Sequence, residues 1–192
     1  VILKNNAEVS VVNGIAGTDA TITFYSESES ASGVIGLIGA YGDDGKNGQT
    51  ESFESTTPGE SGENGLVAVD VASLTVAGGT ITIIGGDGGD GGRGGFYTAT
   101  GVYGVGGDGG NGGAAITDNT KVYLNGGRLN VTAGRGGNPG TNTNVPSEQQ
   151  DNYKGKPGSD GTSVSGIYAV NGTLNVNKLD DSDTGDPSGD FK

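Results

Sequence analysis

The run GGDGGDGGRGG at 85–95 sets Asp87 and Asp90 three residues apart among glycines. Its first six residues fit GGxGxD, the opening of a calcium-binding nonapeptide in which aspartates and backbone carbonyls ligate the ion. The fit stops there, because the eighth position calls for a large apolar residue and holds Gly92, and no tandem nonapeptide follows. A looser oxygen site would gather Asp87, Asp90 and Asp108 from neighbouring segments. Calcium is the candidate ligand of such a site, and no other cofactor is implied.

Hydrolytic or lyase chemistry would need carboxylates clustered in a groove. Asp43 and Asp44 adjoin in a glycine-rich segment, and Asp180, Asp181 and Asp183 lie in the C-terminal tail. Neither set falls on a predicted strand, so both read as solvated surface and no catalytic residue is assigned. The chain holds no His and no Cys. A Ser-His-Asp triad, a histidine zinc site, thiolate chemistry and a disulfide framework are therefore excluded. A protein that is not an enzyme is expected. The formal net charge of -13 at pH 7 would be repelled by phosphate backbones, which argues against nucleic acid as a partner. No apolar run reaches the length of a membrane span.

What could position these residues is a repeat. Apolar residues make up 31% of the chain and glycine contributes 42 positions, so the core must be small. Four segments share one pattern of alternation, bend and alternation: VILKNNAEVSV, LVAVDVASLTV, AAITDNTKVYL and IYAVNGTLNV, starting near 1, 66, 114 and 167. A third alternation follows in ATITF, GTITI and GRLNV, after Gly- or Asn-rich turns that allow positive φ. The predicted buried set runs Val1, Leu3, Val9, Val11, Ile22 and Phe24, then Leu66, Ala68, Leu74, Val76, Ile81 and Ile83. It continues through Ala114, Ile116, Val122, Leu124, Leu129 and Val131 to Ile167, Ala169, Leu174 and Val176. Like residues recur at like positions, which predicts an all-β chain: a right-handed, three-sided parallel β-helix, a solenoid.

Every glycine-rich segment falls between the third strand of one repeat and the first of the next. Gly33, Gly36, Gly39, Gly42, Gly45 and Gly48 are spaced three apart, and so are Gly101, Gly104, Gly107, Gly110 and Gly113. Three residues is the period of a polyproline II helix, which makes no internal hydrogen bonds. Glycine at every third position strips one edge of side chains, so neighbouring helices can approach and bond backbone to backbone. The glycine legs at 33–65, 85–113 and 134–161 are thus expected to form lateral polyglycine II hairpins on a single domain spanning 1–178. Residues 179–192 form an acidic tail or linker.

The combination resembles bacterial cell-surface and adhesin-type β-helix repeat proteins that carry stacked strands and GGxGG tracts. The legs alone are similar to the polyglycine II bundles of phage tail-fibre tip adhesins and of a springtail antifreeze protein. As a pattern the resemblance covers the whole chain. It implies an extracellular or cell-surface protein of a bacterium, structural or adhesive: a stalk or filament subunit stacking end to end or belonging to a longer array. A surface glycan or host receptor is the implied partner. Scattered aromatics such as Tyr25, Tyr41, Phe96, Tyr97, Tyr103, Tyr123, Tyr153 and Tyr168 suit a carbohydrate-binding module as the alternative, with or without calcium. An ice-binding face is a further alternative, because Thr21 and Thr23 align with Thr80 and Thr82 in the repeat register. Polysaccharide degradation is another, by analogy of fold alone.

Overall fold

The computed structural model describes residues 2–3, 8–26, 33–52, 55–97, 101–162 and 167–177. The expectations for Val1, for the 179–192 tail and for Asp180, Asp181 and Asp183 lie outside the described residues. The chain is mostly β. Its strands are β1 (Ile2–Leu3), β2 (Glu8–Val12), β3 (Ile15–Ser26), β4 (Val34–Ile38), β5 (Thr50–Ser52) and β6 (Ser55–Thr56). They continue with β7 (Val69–Ile84), β8 (Phe96–Tyr97), β9 (Val102–Tyr103), β10 (Lys121–Thr132), β11 (Ile167–Val170) and β12 (Thr173–Asn177). A 3-10 turn covers Ser147–Tyr153.

Eight of these strands join through parallel pairing alone, with β7 in the middle and no closure of the sheet. β7 runs through 16 residues, and its inward alternation changes phase twice. Its buried side chains run Val69 and Val71, then Leu74 and Val76, then Ile81 and Ile83. The period-two alternation slips phase between 71 and 74 and again between 76 and 81, and each slip is a corner. At the second corner Gly79 takes φ 75°, as does Gly127 one layer on. A Cβ on Gly127 would stand 2.4 Å from the Gly79 carbonyl oxygen, so the corners stack only without side chains.

Pairing across β7 sets three columns. In the first, 15–17 lies beside 69–71, and the next layer contributes only an isolated bridge from Val69 to Ile116. Thr120 supplies the missing partner there: buried, its Oγ1 donates to the Val71 carbonyl at 2.7 Å and accepts the Val71 N–H at 3.2 Å. In the second column Ile22 faces Leu74, Leu74 faces Val122 and Val122 faces Ile167. In the third, β2, β4, the end of β7, the end of β10 and β12 follow one another, taking Val9 through Ile35, Ile81 and Leu129 to Leu174. Like stacks on like. The side chains of Ile35, Leu74, Ile81, Ile83, Leu124 and Leu129 are fully buried, and each contributes about 1.5–3 kcal/mol of apolar burial.

This register corrects the sequence reading of the first repeat. Ile22 and Phe24 sit under Leu74 and Val76, not under Ile81 and Ile83. The residues under Ile81 and Ile83 are Ile35 and Leu37 of β4. Gly36 therefore lies within β4 and Gly33 directly before it, neither in a leg: the Gly33 carbonyl accepts the Thr80 N–H at 3.0 Å, and a Cβ on Gly36 would meet nothing nearer than Ser10 Oγ at 4.0 Å. The threonine alignment goes with it, because Thr21 and Thr23 pair with Ser73 and Thr75. Leu66 and Val176, expected inside, are half exposed at 55% and 50%, while Val69, Val71 and Ala115 take inward places.

Candidate functional site: the glycine legs and their tips

Six segments leave and rejoin the sheet: 39–48 and 57–66 in the first layer, 85–95 and 104–113 in the second, 134–142 and 155–161 in the third. Their backbones bond between segments with period three. In the outgoing leg 85–95, Gly88 and Gly91 donate forward to the carbonyls of Arg135 and Asn138, both at 2.8 Å. Gly89 and Gly92 donate back to Glu63 and Glu60, again at 2.8 Å. The third N–H of the triplets 88–90 and 91–93 is taken by a side chain, with Asp90 donating to Asp44 Oδ1 and Arg93 to Asn47 Oδ1, both at 2.8 Å. Three N–H groups thus point to three partners, as a threefold helix without internal bonds requires.

Glycine is needed here for space rather than for φ. Among the described residues the positive-φ glycines are Gly14, Gly79, Gly101 and Gly127, none of them in a packed leg. A Cβ on Gly89 would lie 2.1 Å from the Asp43 carbonyl oxygen, on Gly110 1.9 Å from that of Glu63, and on Gly137 2.0 Å from that of Gly89. Gly39, Gly42, Gly45, Gly48, Gly104, Gly107 and Gly113 likewise face backbone at 2.4 Å or less. Gly101 does not. With φ +67° and nothing within 4 Å it is a turn residue beside β9, outside the packed leg that begins at Gly104.

The predicted metal aspartates have another task. Asp87 Oδ1 accepts the Arg135 N–H at 2.7 Å, Asp90 Oδ1 that of Asn138 at 2.6 Å, and Asp108 Oδ1 that of Lys156 at 2.7 Å. Asp87 and Asp90 act along the outgoing legs and Asp108 along the returning ones. The three are not brought together, and among the described residues no group of three His, Cys, Asp or Glu side chains could hold a metal ion. Asn64 and Asn111 extend the same ladder, capping Asn111 and Ser159 at 2.7 and 2.9 Å. A side-chain oxygen from one layer takes the N–H of the next. The exposed surfaces of the legs carry these short polar groups at regular intervals.

At the tips the sequence reading missed Asn142. It is buried, and its Nδ2 donates to the carbonyls of Gly95 and Gly104 at 3.0 and 3.1 Å, closing the mouth of the second hairpin. Its Oδ1 accepts the Asn144 N–H at 3.2 Å. One of two Asn residues in TNTNVP, it carries no signal in the sequence beyond turn chemistry. Beside it a shallow recess is lined by Asn47, Arg93, Phe96, Asn142, Thr143 and Asn144. Phe96 is exposed there, whereas Tyr103 packs edge-on against Tyr153 with ring centroids 5.7 Å apart.

Comparison with protein-family models, with curated proteins and with solved structures finds no match. No helix among the described residues is long and apolar enough to cross a membrane.

Proposed function

We propose that this chain is an extracellular structural or adhesive repeat protein of a bacterial surface. Its sheet winds as a three-sided parallel β-helix that serves as a rigid stalk or filament unit, and its legs are polyglycine II hairpins projecting sideways. The observation that carries this reading is the shared register: strands and legs repeat together through three layers, and every layer-two N–H described above has a partner. Among the described residues β2 and β12 each pair on one side only, which leaves two strand edges for a second copy or further coils. The reading proposed is non-catalytic. Electron microscopy of the purified protein tests it. Regular fibres of uniform width support end-to-end stacking, and single short particles at all concentrations sink the filament reading.

The recess at the tips favours a second reading, a carbohydrate-binding module. Phe96 offers an exposed ring for a sugar face, with Arg93 and the amides of Asn47 and Asn144 around it. A glycan screen of the protein and of Phe96→Ala, each with and without chelator, separates the two. Saturable binding lost in the variant establishes the module, and no binding leaves the stalk.

A further inference from the structure

The three layers of legs are alike in backbone but not in residue type, and the differences fall at the two ends of the stack. In the second and third layers, Gly89, Gly92, Gly137 and Gly140 turn their bare edge toward the preceding layer, with a carbonyl oxygen 2.0–2.1 Å from where a Cβ would stand. The side-chain ladder from Asp44 to Asp90 to Asn138 fixes the equivalent first-layer positions as Asp43 and Lys46. In the returning legs the ladder from Asn64 to Asn111 to Ser159 matches Gly107 and Gly110 with Glu60 and Glu63. So four charged residues stand where the inner layers have glycine. All four are exposed, and Lys46 pairs with Glu60 at 3.9 Å.

The other end is closed by a different device. Gly91 and Gly109 of the second layer donate forward to Asn138 and Lys156 at 2.8 Å. By the same ladders their third-layer equivalents are Pro139 and Pro157. Proline has no N–H, so two of the five forward donors that the second-layer legs use (Gly88, Gly91, Gly106, Gly109 and Gly112) have no third-layer counterpart. A third of the five, Gly136 N–H, is turned aside to Asp160 Oδ1 at 3.0 Å.

We infer that the glycine array is closed at both edges, so a glycine leg from a second copy of this chain is refused on either side. Charge and proline at the rim of a hydrogen-bonding lattice serve here as they do on the edge strands of sheets, where they suppress unwanted pairing. Self-association is thereby confined to surfaces other than the leg edges. This inference does not depend on the stalk reading.

The test uses the full chain and a synthetic peptide of residues 85–113, the hairpin with two glycines per triplet, labelled at its tip and followed by fluorescence anisotropy. The wild-type protein is expected to give no saturable binding. Opening the first edge (Asp43→Gly, Lys46→Gly, Glu60→Gly, Glu63→Gly) is expected to raise affinity by at least roughly tenfold, and so is opening the last (Pro139→Gly, Pro157→Gly, Asp160→Gly). The two variants back each other up should one fail to fold, and Pro139→Gly alone is the mildest opening. Saturable binding to the wild type overturns the inference. So does the absence of binding to opened variants whose circular dichroism matches the wild type.

Discussion

Asp90 Oδ1 accepts the Asn138 backbone N–H at 2.6 Å, while the Asp90 N–H is itself donated to Asp44 Oδ1 at 2.8 Å. One residue is therefore both rung and rail of the outgoing legs. Replacing it by alanine removes the acceptor and frees Asn138, at a cost of about 1 kcal/mol because water can reach the exposed N–H. Asp90→Asn keeps an oxygen in place and should retain most of the stability. Urea midpoints of the two variants check this, and equal losses in both would assign the effect to charge instead.

Gly89 and Gly101 separate the two reasons for glycine. Gly89→Ala drives a methyl into the Asp43 carbonyl, 2.1 Å away, and should cost about 3 kcal/mol as the legs are forced apart. Gly101→Ala meets nothing within 4 Å and should cost about 1 kcal/mol from its left-handed φ alone. Thermal or chemical denaturation of the pair gives the comparison. A Gly89 variant as stable as the Gly101 variant would show that the legs do not pack as described.

How much of this was legible depends on how each constraint writes itself into residue type. Close approach of backbones excludes every side chain, so the leg glycines announce themselves by spacing. The same spacing misled at 33–38, where Gly33 and Gly36 continue the period while Ile35 and Leu37 already follow the alternation of a strand. Two periods, three and two, overlap there, and only pairing with Thr80–Ile84 decides between them. The Asp and Asn ladder was visible as residues and opaque as a role. A carboxylate that caps an N–H in the next layer looks, in one dimension, like one that waits for calcium.

Calcium gives a direct check on that ladder. Asp87, Asp90 and Asp108 each have one oxygen engaged by a neighbouring backbone, the first two on the outgoing leg and the third on the returning one. The melting temperature should be the same in millimolar calcium as in excess chelator. A rise of several degrees with calcium would reveal a site linked to folding and would revive the metal reading.

Asn142 tests the closure of the second hairpin. Asn142→Ala leaves the carbonyls of Gly95 and Gly104 without their shared donor and should cost about 2 kcal/mol. Hydrogen exchange should then rise first at the Gly104 amide, which is bonded to the Gly95 carbonyl at 2.7 Å. Unchanged protection there would make Asn142 a passenger.

From Val9 to Ile35 the chain uses 26 residues to return to the same column, and from Ile35 to Ile81 it uses 46. The longer stretch holds the hairpin 39–66, so the reach of the legs is a dimension set independently of the sheet. Each triplet added to a leg would extend that reach by about 9 Å at 3.1 Å per residue. Single residues are a forbidden increment: one extra residue turns the rest of its leg by a third of a revolution and points a side chain at a neighbouring carbonyl. Length in this direction is quantised.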